Sequence, residues 1–236
     1  MRNVKMTIGA AAAVCAFGVM ASPVMAAGFN STGGATKGSG EEQSFKLGPF
    51  KIKCEKAVAH GGAHAGVSKA IVDEVKFSKC ATEAKIGLNP IYLKTEFATP
   101  LDIEYHATGF VQVGSELEGA GSEATLKGGT IEVKIGVLGC LIEIPFQTVP
   151  TKAEKKPEET FAEAAYENET YEAGSGKNLK TYTRLVIANT FSGIHFTYGS
   201  GQCENFAKVG EELKTGKYEG TLTDEIVKGN LEWSAV

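Results

Sequence analysis

Phe50-Lys51-Ile52-Lys53-Cys54 decides the fold class. Phe50, Ile52 and Cys54 alternate with two lysines, and successive side chains of a strand point to opposite faces, so three apolar groups share one face and two ammonium groups the other. A helix would instead repeat its apolar residues every three or four positions. Working outward, the alternating or short apolar pattern returns over Ile71 to Phe77, Ile91 to Phe97, Leu101 to Ala107, Phe110 to Val113, Thr130 to Ile135 and Cys140 to Ile144. It continues over Lys180 to Phe191, Ile194 to Tyr198, Tyr218 to Ile226 and Asn230 to Trp233. Gly128-Gly129, Ser192-Gly193, Gly199-Ser200-Gly201 and Gly229-Asn230 read as tight connections between antiparallel strands, and Gly174-Ser175-Gly176-Lys177 as a hairpin tip. The expected fold is all-β: an antiparallel β-sandwich with short turns and at most one short helix. The helical signal lies in Thr151 to Tyr171, where Pro157 followed by Glu158 and Glu159 resembles a helix start; Phe161 to Tyr166 reads equally as an edge strand.

Upstream of this body, residues 27–43 are rich in Gly, Ser and Thr, a composition that buries little apolar surface and predicts a flexible tether. Residues 1–26 read as a signal peptide. Arg2 and Lys5 precede an apolar run, Met6 to Met20, too short to span a bilayer comfortably, and Val24-Met25-Ala26 places cleavage after Ala26. Val14 before Cys15 is not the small residue of a lipoprotein leader. No integral membrane segment is expected after cleavage, and the location follows as secreted or cell-envelope associated. Residues 44–236 form the sandwich domain, with two subdomains divided near 116–122 as the alternative.

Four cysteines remain: Cys54, Cys80, Cys140 and Cys203. An even count in an exported chain predicts two disulfides. Three connectivities exist, and Cys54 with Cys80 and Cys140 with Cys203 is the expected one because each pair joins neighbouring strand segments. Structural zinc is disfavoured because no two cysteines lie two to four residues apart. The chain has 24 basic and 28 acidic residues, and Arg184 is the only arginine beyond the leader. Scattered lysines on an acidic chain make no phosphate-neutralising face, so nucleic acid is not an expected partner.

The run Leu185-Val186-Ile187-Ala188-Asn189, the later Gly201-Gln202-Cys203 and the turn-strand Gly216-Lys217-Tyr218-Glu219-Gly220-Thr221-Leu222 resemble uncharacterised secreted β-rich proteins of soil actinobacteria. The resemblance covers the carboxy-terminal half and implies an exported β-rich protein. It carries no activity, cofactor or site residue with it.

Among chemical constellations, His60-Gly61-Gly62-Ala63-His64 has the spacing of two metal ligands on one helical face. The two glycines disfavour a helix, and no Glu follows His60 as a zinc protease motif requires, so a loop with solvated histidines is the expected reading. Asp102, Glu104 and His106 share one face of a strand and are the best catalytic candidates, as a cation site or an acid–base pair. Polar residues on the water face of a half-buried strand account for them equally well. Glu96, Glu104, Glu132 and Glu143 could serve glycosidase chemistry, but abundant Glu makes that signal uninformative. Trp233, Tyr92, Tyr105, Tyr182 and Tyr198 could form a sugar platform, although core packing is their commoner role. No Gly-x-Ser-x-Gly elbow occurs, and Gly210 to Tyr218 has one residue too many for a phosphate loop, with Tyr218 where Ser or Thr would bind magnesium. No cofactor is expected.

These readings predict an exported, non-enzymatic sandwich with a structural, adhesive or ligand-binding role, cell-wall or extracellular glycan as partner, and self-association through sheet edges. The alternatives are an extracellular polysaccharide hydrolase or lyase using sheet-face carboxylates, and a carrier of an apolar small molecule in a closed barrel.

Overall fold

The structure, a computed structural model, describes residues 27–86, 89–107, 110–113, 116–119, 124–135, 138–149, 161–201 and 214–235. The leader, residues 151–160 and Cys203 lie outside the described residues. The strands are β1 (Ala27–Ser31), β2 (Gly34–Leu47), β3 (Phe50–Ala63), β4 (Gly66–Ser68), β5 (Ala70–Ile86), β6 (Asn89–Phe97) and β7 (Leu101–His106). There follow β8 (Phe110–Val113), β9 (Glu116–Gly119), β10 (Ala124–Leu126), β11 (Gly129–Ile135), β12 (Leu138–Ile144) and β13 (Gln147–Val149). Then come β14 (Phe161–Ala173), β15 (Lys180–Gly201), β16 (Lys214–Ile226) and β17 (Leu231–Ala235). Among the described residues the one helical element is a 3-10 turn, Gly176–Asn178, at the tip of the β14–β15 hairpin. The stretch from Phe161 is therefore strand, not helix.

The fold is an antiparallel β-sandwich. One continuous layer runs β5-β3-β2-β16-β15. Against it stand β6, β11 and β12 at one end, and β7, β10, β13 and β14 at the other. The pairing β5–β6 closes the first end, so that β5, β3, β2, β16, β15, β12, β11 and β6 make an unbroken antiparallel circuit. Aromatic rings fill the space between the layers: Phe45 on β2 meets Phe97 on β6 at 5.1 Å, and Tyr105 on β7 meets Phe191 on β15 at 6.3 Å. Strand alternation explains this, since the residues that line the core are the inward members of each period-two pattern.

The alternation is interrupted at one level in four strands. On β3 the buried side chains are Phe50, Ile52 and Cys54, then Ala57 and Ala59; on β5 they are Ile71, Asp73, Val75 and Phe77, then Cys80 and Thr82. On β2 Thr36 gives way to Gln43, Phe45 and Leu47, and on β15 Phe191 is followed by Ile194. Against β16 two of these changes are β-bulges, which bend a strand and increase its twist, at Ser192/Ile194 on β15 and between Glu219 and Thr223 on the β2 side. β3 and β5 change parity together with β2 without a shift in register. Glu42, Lys79 and Gly193 have positive φ at these points, 54°, 54° and 74°. The bends let one layer close on β6 at one end and face β7 and β14 at the other. Ser192-Gly193, read from sequence as a connection, is thus a bulge inside the 22-residue β15, and Gly199-Ser200-Gly201 lies in that same strand.

The expected tether over residues 27–43 is also corrected: it is β1 and most of β2. β2 pairs with β3 on one side and β16 on the other, so its backbone groups are satisfied along both edges. β1 carries the fully buried Phe29 and, with β17 and β4, forms a small sheet over one end of the sandwich. That sheet is fastened by Asn168 on β14, whose Nδ2 donates to the Trp233 carbonyl at 2.7 Å while its Oδ1 accepts the Trp233 N–H at 2.8 Å. The side-chain amide thus acts as a strand partner at an edge otherwise guarded by Glu167, Glu169 and Glu172. Asn168→Ala is expected to cost about 1–2 kcal/mol and to speed amide exchange at Trp233; unchanged exchange there would show that the amide is not the fastening.

Candidate functional site

Where the β2–β16 register shifts, a groove of about 1230 Å³ lies on the outer face of β2, β3, β15 and β16. Gly40 on β2 and Gly220 on β16 are both in its lining, and a Cβ on either would run into the Gln43 side chain. A Cβ at Gly40 would lie 2.7 Å from Gln43 Nε2, and one at Gly220 would lie 2.9 Å from the Tyr218 hydroxyl. Gln43, fully buried, occupies the space beneath. Its Nε2 donates to the Thr221 carbonyl at 2.9 Å and the Glu41 carbonyl at 2.8 Å, and its Oε1 accepts the Tyr218 hydroxyl at 2.6 Å. The β2–β16 ladder is interrupted between Glu219 and Thr223, and Gln43 satisfies backbone carbonyls at that gap. Burial pushes the Tyr218 hydroxyl far above its ordinary value, so it remains a neutral donor.

The groove is of mixed chemistry. Hydroxyls of Ser39, Ser44, Thr190, Thr221 and Thr223, carboxylates of Glu41, Glu42 and Glu219, and the Lys56 ammonium line it beside the apolar surface of Ala57, Val58 and Ala188, and no aromatic ring is among its lining residues.

A second feature lies inside. Asp73 on β5 and Asp224 on β16 are buried at 1% and 0% exposure, and their carboxyl groups lie against one another. Sequence reading missed both, yet the signal was present: period two places Asp73 on the face of Ile71 and Val75, and Asp224 on that of Leu222 and Ile226.

His60 lies outward on β3 and is not in a loop; His64 follows that strand, and its carbonyl accepts the Ser31 hydroxyl at 2.6 Å. Among the described residues no three His, Cys, Asp or Glu side chains converge to hold a metal. Asp102, Glu104 and His106 do share one half-buried face of β7, as expected. His106 Nε2 lies 3.5 Å from Glu104 Oε1 and Lys127 Nζ 3.7 Å from Glu104 Oε2. Glu225, Lys37, His60, Glu74 and Asp102 stand in register across β16, β2, β3, β5 and β7, a polar cross-strand row in which Glu225 meets Lys37 while the like-charged Glu74 and Asp102 stand opposite one another. The β7 face continues that solvated row. Of the platform candidates, Tyr105, Tyr198 and Trp233 are buried, Tyr182 stacks on Tyr171 at 5.8 Å, and Tyr92 is 74% exposed on β6. Glu96 pairs with Lys94 at 2.6 Å.

Cys54 and Cys80 are joined by a disulfide between directly opposed positions of β3 and β5. Cys140 is also disulfide-bonded. No helix of the described residues is long and apolar enough to cross a membrane.

Fold and site together define a disulfide-bonded antiparallel β-sandwich with a groove across its outer face. Set against known protein families, curated proteins and solved structures, the chain matches none.

Proposed function

We propose that the protein is an exported, non-enzymatic binding module that uses the groove over Gly40 and Gly220 to hold an extracellular or cell-wall glycan. The observation that carries this reading is the groove's lining. Five hydroxyls and three carboxylates around one lysine are groups that can replace water on a sugar's hydroxyls, and they sit on strands paired within one layer. Without a ring in the lining, recognition runs through hydrogen bonds instead of stacking. The Cys54–Cys80 disulfide supports an oxidising compartment, and the signal-peptide pattern and the resemblance to secreted actinobacterial proteins agree with it. The apolar-carrier alternative has the closed circuit it requires, but rings from Phe45, Phe77 and Phe97 occupy the space inside.

The test is co-sedimentation of the protein with isolated cell wall and insoluble polysaccharides, with newly formed sugar ends assayed in the same supernatants. Binding without release is expected, with the affinity falling about tenfold in a Glu41→Ala, Glu219→Ala double variant, the loss of roughly 1.4 kcal/mol in two exposed hydrogen bonds. Release of sugar ends would overturn the non-enzymatic reading and turn attention to Asp102 and Glu104. No binding to any wall or polysaccharide would remove the glycan.

A further inference from the structure

Asp73 and Asp224 occupy the packed interior with no counter-charge: no lysine or arginine is among the buried described residues. Between β5 and β16 run β3 and β2, and on these the positions in register are Gly61 opposite Asp73 and Gly38 opposite Asp224. A Cβ at Gly61 would lie 2.5 Å from Asp73 Oδ1 and 2.8 Å from Thr36 Oγ1, and one at Gly38 would run into Asp224 Oδ1. The two glycines therefore leave a floor over which both carboxyl groups reach toward each other. Thr36 donates to Asp73 Oδ1 at 3.2 Å, whereas neither Asp224 oxygen, nor Asp73 Oδ2, meets a hydrogen-bond donor.

We propose that Asp73 and Asp224 form an interior proton-binding site, one shared proton tying β5 to β16, and that the fold loosens when that proton is lost. Two ionised carboxylates are acceptors only and cannot bond to one another; a hydrogen bond between them requires a proton. Ionising both in a low-dielectric interior places like charges together with nothing to compensate them. The surroundings supply no alternative. β2 presents the Thr36 hydroxyl, β7 the buried Tyr105 hydroxyl and β16 the buried Tyr218 hydroxyl, both phenols held neutral by burial. His60 on β3 faces outward and favours the Asp73 charge only weakly, as the last of its influences. Burial is the largest cause that raises both acids, and for Asp224 the facing Asp73 raises it further.

The sign follows directly. In the unfolded chain each aspartate ionises near 3.8, and in the folded chain higher. The unfolded state thus releases protons first as pH rises, so the pair's contribution is complete below about 3.8 and declines as pH climbs through the raised folded values.

The experiment is thermal unfolding of the intact protein across pH, beside an Asp73→Asn, Asp224→Asn double variant. For the native chain Tm is expected to fall by more than about 5 °C between roughly pH 4 and pH 8, and in the double variant, whose amides do not ionise, most of that fall should vanish. If the variant does not fold, the infrared carbonyl band of a buried protonated carboxyl, present in the native protein near neutral pH, gives the same answer. A native Tm that is flat or rises over this range, or absence of that band, overturns the proposal. So does stabilisation of the native protein by calcium or magnesium alone near pH 8 that the double variant lacks, which would make the pair a cation site.

Discussion

Phe45→Ala is expected to remove about 3–5 kcal/mol of stability, a large share of the ~5–15 kcal/mol that holds a domain together. Phe45 is fully buried, and its ring lies 5.0 Å from Phe77, 5.1 Å from Phe97 and 4.7 Å from Tyr218. Those rings come from β5, β6 and β16, so one side chain bridges the continuous layer and the strand that closes the circuit. Truncation leaves a cavity that backbone hydrogen-bonded on both sides of β2 cannot collapse around. The midpoint of denaturant unfolding should fall with an unchanged slope, and Tm should drop by about 10 °C. Phe45→Leu, which refills most of the volume, should recover more than half of the loss. A midpoint change worth less than ~1 kcal/mol in Phe45→Ala would show that the layers are not joined through this ring.

The strands were legible because burial on one face writes itself as alternation: every strand read from Phe50, Ile71 or Leu101 onward is present. Residues 27–43 were not, and the reason is specific. Composition measures what a segment can bury with its own side chains, whereas Gly38 and Gly40 contribute by having none, which makes room for Asp224 from β16 and for Gln43 farther along the same strand. Small residues in a strand and small residues in a tether look alike until the neighbours are known. Ser192-Gly193 fails similarly, since a positive-φ glycine serves a turn and a bulge equally well. The groove was illegible for the same cause. It lies where four strands change parity at one level, which depends on register, and register joins residues as distant as Gln43 and Thr221. The face of Asp102, Glu104 and His106 was readable from one strand alone, but the row of charges that accounts for it needed four neighbours.

Removing the Cys54–Cys80 disulfide, by Cys54→Ala with Cys80→Ala, is expected to cost about 3–4 kcal/mol. A loop closed by residues 26 apart in sequence restricts the unfolded chain by about that much in the chain-entropy account. The bond's position argues against a smaller effect. β3 and β5 pair at Cys54↔Cys80 and again at Lys56↔Ser78, but the step between, Glu55 and Lys79, is where both strands change parity. An exposed ion pair of 3.1 Å is what these two residues contribute there, and such pairs are worth ~0–1 kcal/mol. The disulfide is thus the strong link beside the weakest rung, and Cys54 and Cys80, 1% and 7% exposed, yield to a reductant only when that rung opens. Denaturant unfolding of the native, reduced and double-alanine proteins measures the cost, and thiol labelling times the opening. The double-alanine protein keeps the bond at Cys140 whereas reduction breaks both, so agreement between the two would assign the whole loss to Cys54–Cys80 and none to Cys140. A native protein unmoved by reduction, by less than ~0.5 kcal/mol, would mean that strand pairing alone holds β3 to β5. The sandwich would then stand as well in a reducing compartment as in an oxidising one, and the disulfide would cease to support export.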